Sequence, residues 1–144
     1  MTVQRVVEFC LSKPGAVQDY PFGPEPVVFK VGGKIFVTIY RKDGATRFGM
    51  KCEPMLADLL CGQYTSITPM YKSPHWIYIV CDGDVPDEEV FFQIDHSYDL
   101  VVKSLSKKAQ RLISAEVDRT TGDPRSTLGQ TQSRQAYRDN VDRD

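Results

Sequence analysis

The stretch Lys30–Lys51, KVGGKIFVTIYRKDGATRFGMK, decides the fold. Gly32-Gly33 and Asp43-Gly44 separate three runs rich in β-branched and aromatic residues, the pattern of two hairpins closed by two-residue turns. Turns of that length fix register. Val31 then opposes Lys34, Phe29 opposes Phe36, and Val27 opposes Thr38. Across the second turn Lys42 meets Ala45, Tyr40 meets Arg47, Thr38 meets Gly49, and Phe36 meets Lys51. Opposed residues share a face and faces alternate along each strand. One face holds Val28, Ile35, Val37, Ile39, Phe48 and Met50, with Lys30, Arg41 and Thr46 near its ends; it predicts a core under helices. The other holds Val27, Phe29, Val31, Lys34, Phe36, Thr38, Tyr40, Lys42, Arg47 and Lys51, aromatics interleaved with cations. A slip of one residue would exchange the two faces.

Outward from this sheet, the spacing predicts helices on both sides. Val3, Val6, Val7, Cys10 and Leu11 form one stripe, with Thr2 as cap and Pro14-Gly15 as the stop. DYPFGPEP (19–26) is too rich in proline for helix or strand and reads as a rigid loop. Glu53-Pro54 opens a second helix ending near Gly62, with Met55, Leu56, Leu59 and Leu60 toward the core. A short strand is expected at Ser66–Thr68 and a longer one at His75–Val80, where Trp76 and Tyr78 alternate and extend the aromatic face. Pro86 starts a long helix with Asp87, Glu88 and Glu89 in its first turn, where the helix dipole favours acids, and with Ile94, Tyr98, Val101, Val102 and Leu105 buried. Ser106 caps a last helix over 107–116. The reading is therefore one α+β domain over 1–117, an antiparallel sheet with helices on one face, followed by a flexible tail, 118–144, with few apolar residues and no periodicity.

Composition narrows the function. The formal net charge of −1 does not mark a dedicated nucleic-acid binder, so any such signal is local. No apolar run reaches the roughly 18 residues of a membrane span, and the N-terminal stretch lacks a signal peptide's apolar core, so a cytoplasmic monomer without membrane contact is expected. Cys10, Cys52, Cys61 and Cys81 are scattered with no CxxC pair, which predicts free thiols and no metal site.

Asp95, His96 and Ser97 resemble a triad on paper, but adjacent helical residues point about 100° apart and cannot converge. Gly32-Gly33 precedes a strand and not a helix, so it is no phosphate loop. Without a nucleophile–base pair or a cofactor fingerprint, no enzymatic activity and no cofactor are expected. The aromatic–basic face carries the functional reading. Its candidate residues are Lys34, Phe36, Tyr40, Lys42, Arg47, Lys51, Lys72, His75 and Trp76, in which rings stack on bases and cations hold phosphates. The competing reading is a face half covered by loops and tail, with Lys and Arg stems lying over the rings.

DYPFGPEPVVFKVGGKIF, GMKCEP, HWIYIV with DGDVPDE, and DHSYDLVVKSLSKK occur in that order, and together they resemble the MmcQ/YjbR family over about residues 1–115. The resemblance implies a fold like that of the bacterial frataxin CyaY, a double-wing DNA-binding motif whose wings are the hairpins, and an uncharacterised role. The acidic ridge that frataxins present is missing here, since the first helix carries only Glu8 and the neighbouring strands are basic, so iron handling is not supported. The function expected is a non-enzymatic binding module, contacting DNA weakly through the hairpins and the aromatic–basic face; the alternative is a protein or small ligand on the same face.

Overall fold

A computed structural model describes residues 1–70 and 73–120. The element order is α1 (Val3–Leu11), β1 (Val17–Asp19), β2 (Val27–Val31), β3 (Lys34–Lys42), β4 (Ala45–Lys51), α2 (Pro54–Gln63), β5 (Ile67–Met70), β6 (Ser73–Val80), α3 (Asp87–Ser104) and α4 (Lys107–Thr120). The six strands make one antiparallel sheet in the order β1-β2-β3-β4-β6-β5. The fold class is thus α+β, as the hairpin pattern requires.

Both two-residue turns form. Gly32 and Gly33 have φ of 58° and 80°, and Asp43 and Gly44 have 54° and 77°, the paired positive φ values of the hairpin turn whose twist matches the strands. Gly32 is doubly required, because a Cβ there would meet Leu105 Cδ1 at 2.5 Å. The β3–β4 register is as expected from Lys42↔Ala45 through Tyr40↔Arg47 to Thr38↔Gly49.

The β2–β3 register is not. Val31↔Lys34 holds, but beyond Lys30↔Ile35 the ladder resumes at Phe29↔Val37, which leaves Phe36 as one extra residue in β3. This β-bulge shifts β2 by one place and exchanges its faces. Phe29, Val31 and Phe36 therefore belong to the core with Val37, Ile39, Phe48 and Met50, and Val27 packs against them. Val28 and Ile35, expected on the core face, sit on the opposite one; Val28 is nonetheless fully buried, as expected, between Thr38 and Asp19 of β1, an edge strand too short to show in the sequence, and Ile35 is half-buried.

Helix α3 explains the bulge. Ser97, fully buried, donates its hydroxyl to the Phe36 carbonyl (2.6 Å) and accepts the Lys51 amide (2.8 Å). Those two groups would bond each other if Phe36 paired with Lys51; the helix hydroxyl stands between them instead. One residue on, Tyr98 meets the Phe36 ring edge-on at 5.4 Å and donates its hydroxyl to Pro14 O (2.5 Å). Asp95, one turn before Tyr98 on the same side of α3, pairs with the buried Lys13, whose ammonium also lies over the rings of Phe9 and Tyr98. Asp95 and Tyr98 together hold the segment after α1 at Lys13 and Pro14, while Ser97 points away from them into the sheet.

The remaining core comes from Val6 and Cys10 of α1, Ala57 and Leu60 of α2, Ile67 of β5, Ile77 and Ile79 of β6, Val90, Ile94 and Val101 of α3, and Cys52 and Val85 between elements. The expected inward row of α2 is narrower than its sequence suggests. Leu60 is buried and Leu56 half-buried, but Met55 and Leu59 are 82% and 69% exposed, because α2 lies on the β5–β6 edge and turns the Ala57–Leu60 side inward. Ser106 caps α4 by accepting the Ala109 amide, and the helix continues to Thr120, past the expected end at 116. Of the expected tail 118–144, residues 121–144 lie outside the described residues.

The bulge makes a stability prediction. Phe36→Ala, measured by denaturant unfolding, is expected to cost about 3–5 kcal/mol, the range for emptying a buried ring site. Ile35→Ala, on the half-exposed side, is expected to cost clearly less. Equal costs, or the reverse order, would restore the unbulged register.

Candidate functional site

The sheet face opposite the helices is built from alternate residues of five strands, β2 to β6. One row across it runs Val28, Thr38, Gly49, Tyr78, Thr68, each opposed to the next. The adjacent row pairs Tyr40 with Arg47 by backbone register, two residues along from Thr38. Gly49 sets the floor. Its backbone is ordinary, but a Cβ would come within 2.4 Å of Thr38 Oγ1 and 3.3 Å of the Tyr78 ring, so the glycine lets both lie close to the strand. Tyr78 then meets Tyr40 at 5.5 Å between centroids, tilted 69°. Burial, followed by its hydrogen bond with Tyr40, raises the Tyr78 phenol above its usual value, while the Arg47 cation pulls it down.

Around this pair lies an open groove of about 740 Å³, lined by Thr38, Tyr40, Arg47, Tyr78, Arg41, Lys42, Met70 and, from the proline-rich loop, Glu25 and Pro26. Its lining carries three cations and one carboxylate. Three cations elsewhere are committed, Lys30 to Asp19 at 3.0 Å, Arg5 to Asp87 at 2.8 Å and Lys13 to Asp95, while Lys103, Lys107, Lys108 and Arg111 on α3 and α4 have no carboxylate partner among the described residues. Among the described residues, Arg41, Lys42, Arg47 and Lys51 have no carboxylate partner, and the Arg47 Nε is buried without a hydrogen-bond acceptor. An unsatisfied buried donor is costly in a native fold, and a bound water, ion or ligand acceptor is one way to satisfy it.

The structure therefore sorts the candidate residues. Tyr40, Lys42 and Arg47 come together in the groove. Lys51 and Trp76 oppose each other on the same face, one pair beyond Met50↔Ile77. Lys34 and Phe36 do not belong there, which corrects the unbulged reading. Lys34 shares the helix side with Val31 and donates to the Ser104 carbonyl (3.4 Å) and hydroxyl (3.3 Å) at the α3 C-terminus, and Phe36 is core. His75 is exposed and alternates with Trp76, so it falls on the helix side. Lys72 lies outside the described residues. Arg41, which alternation places on the helix face, nevertheless lines the groove near the end of β3, and Glu25, Pro26 and Met70 join it without being singled out by sequence; the glycine inside β4 was the available sign of close approach.

No group of three or more His, Cys, Asp or Glu side chains converges to hold a metal among the described residues. No helix among them is long and apolar enough to cross a membrane. The thiols sit apart from the groove, and burial pushes Cys52 up to about 12 and Cys10 still higher. At pH 8, two of the four thiols, Cys10 and Cys52, are expected to resist Ellman's reagent until the protein unfolds. Prompt labelling of all four in the native state would contradict this.

An open antiparallel sheet with all its helices on one side and an aromatic–basic groove on the other defines a class seen before. The YjbR family model matches residues 11–100, and the chain belongs to that family. It is 27% identical over 115 residues to the Escherichia coli K12 protein "Uncharacterized protein YjbR", covering 78% of this chain and 98% of that one. To "Uncharacterized protein YbdF" of Escherichia coli O157:H7 it is 34% identical over 96 residues, 65% of this chain and 79% of the other. Among solved structures, Deinococcus radiodurans protein DR2400 superposes with a TM-score of 0.70 at 28% identity over 78% of this chain and 88% of that one. A Pseudomonas syringae protein shares the fold, with a TM-score of 0.61 at 21% identity, 69% of this chain and 98% of the other.

Proposed function

We propose that this chain is a non-enzymatic binding module whose ligand surface is the open sheet face, and that the ligand is single-stranded DNA held weakly. The observation that carries the proposal is the uncommitted Arg47 guanidinium beside the Tyr40–Tyr78 pair, within a groove whose other cations are also unpaired among the described residues. Stacking on aromatic side chains contributes roughly 1–3 kcal/mol per base and tolerates any sequence, and cations alongside hold the backbone. The concavity favours a splayed base over a duplex, whose bases are stacked inside. A formal net charge of −1 works against tight non-specific binding, so affinity depends on this local patch.

The groove's size supports a second reading. Small-molecule sites occupy about 300–1,000 Å³, so a planar anionic metabolite also fits, without any nucleic acid. Salt dependence separates the two, because only a polyanion releases many counterions on binding.

The test is a titration of labelled single-stranded and duplex DNA at several salt concentrations. Arg47→Ala and Lys51→Ala are each expected to weaken single-strand binding and flatten the log–log salt slope by about 0.7 if each contacts one phosphate. Tyr40→Ala is expected to weaken single strands more than duplex. Lys34→Ala, tied to the end of α3, is expected to change neither. Unchanged affinity and slope in folded Arg47→Ala and Lys51→Ala would remove this face as the DNA site.

A further inference from the structure

The groove is built for one end of a strand rather than its middle. We infer that it takes a terminal phosphomonoester with its attached base, the phosphate on the Arg41–Lys42–Arg47 side and the base on Tyr40 and Tyr78; this rests on the reading of the face as a single-strand site.

Three observations converge on it. The first is size: at about 740 Å³ the open groove has the room that one seated nucleotide needs. The second is charge. Three lining cations, Arg41, Lys42 and Arg47, face one lining carboxylate, Glu25, a formal excess of two positive charges. A phosphate monoester carries about −1.5 to −2 at neutral pH and three acceptor oxygens, whereas an internal diester carries a single negative charge. The monoester matches the excess; the diester leaves it half neutralised.

The third is the donor set. The guanidinium is a planar fork of five N–H groups suited to phosphate oxygens, and in Arg47 one of them, Nε–H, is already withdrawn from water with nothing to donate to. A small rotation of that side chain toward a phosphate gives the orphaned donor an acceptor. Lys51 and Trp76 continue the same face beyond Gly49 and Tyr78, which leaves a track for the next nucleotides of a strand whose end is seated in the groove.

Glu25 has a defined part in this account. It stands in the exposed loop at the rim and opposes any anion entering. Its removal therefore strengthens terminal-phosphate binding, a gain of function that misfolding cannot imitate.

The experiment compares short oligothymidylates bearing a 5′-phosphate, a 3′-phosphate or no terminal phosphate, by fluorescence anisotropy, with thymidine monophosphate as competitor. At least one phosphorylated strand is expected to bind about tenfold more tightly than its unphosphorylated twin, the scale of one added charge-assisted contact. The monophosphate is expected to compete where thymidine does not, which separates a free nucleotide from a strand end as the source of the phosphate. Arg47→Ala is expected to abolish the preference, Arg47→Lys to restore it in part, and Glu25→Gln to enlarge it. If all three strands bind alike with a steep salt dependence, the terminal-phosphate inference fails while the single-strand reading stands. If no strand binds at low salt and the monophosphate does, the strand reading fails and the groove is a nucleotide site. If nothing binds, both are overturned.

Discussion

One hydroxyl holds the arrangement together. Ser97 on α3 reaches into the sheet and bonds both the Phe36 carbonyl and the Lys51 amide, groups that would otherwise close the β3–β4 ladder. Burying an unpartnered peptide group costs about 1–3 kcal/mol, so the sheet opens at this point only because the helix supplies both missing partners. The opening lets Phe36 leave the regular alternation and dock its ring on Tyr98, and β2 shifts by one residue as a consequence. Helix and sheet are thus joined by polar contacts inside an apolar core. The neighbouring Lys13–Asp95 pair, both side chains 1% exposed, belongs to the same seam and ties the end of α1 to α3.

The bulge also shapes the open face. It draws Phe29, Val31 and Phe36 to the helix side and puts the smaller Val28 and Ile35 on the other surface in their place. Thr38, Gly49 and the Tyr40–Tyr78 pair remain there, with a hollow above the glycine and not a filled apolar layer. Cations follow the same division. Lys34 goes with the helix side and is spent on the α3 C-terminus, where a positive charge complements the helix dipole. Those around the hollow find no carboxylate among the described residues. The side taken by β2 follows from one register shift, and the Tyr40–Arg47 part of the open face lies beyond its reach.

Much of this was legible in the sequence. Both turns, the β3–β4 register, the core assignment of Val37, Ile39, Phe48 and Met50, and the α3 stripe through Ile94, Tyr98 and Val101 follow from local chemistry and periodicity. The bulge did not, because a bulge is set by a tertiary partner: nothing in KIFVTIY says that a serine 61 residues on will capture the Phe36 carbonyl. The same limit explains Met55 and Leu59, whose exposure depends on where α2 meets the sheet edge. Tyr40, Lys42 and Arg47 were found from alternation within β3 and β4, which the bulge leaves untouched. Lys34 was misplaced because it precedes the bulge, and Phe36 because it is the bulged residue itself. Glu25 and Pro26 reach the groove through a loop, whose path no periodicity encodes.

Ser97 replaces a ladder bond and so decides the sides taken by Phe36 and β2. Amide hydrogen exchange at Lys51, compared between the native protein and Ser97→Ala, tests it most directly. The account predicts that the Lys51 amide is protected in the native protein, and that in the folded variant its exchange accelerates selectively while the Tyr40–Arg47 part of the ladder keeps its protection. A Lys51 amide equally protected in both would mean that Phe36 and Lys51 bond each other across an unbroken ladder, and the account of the sheet would be wrong.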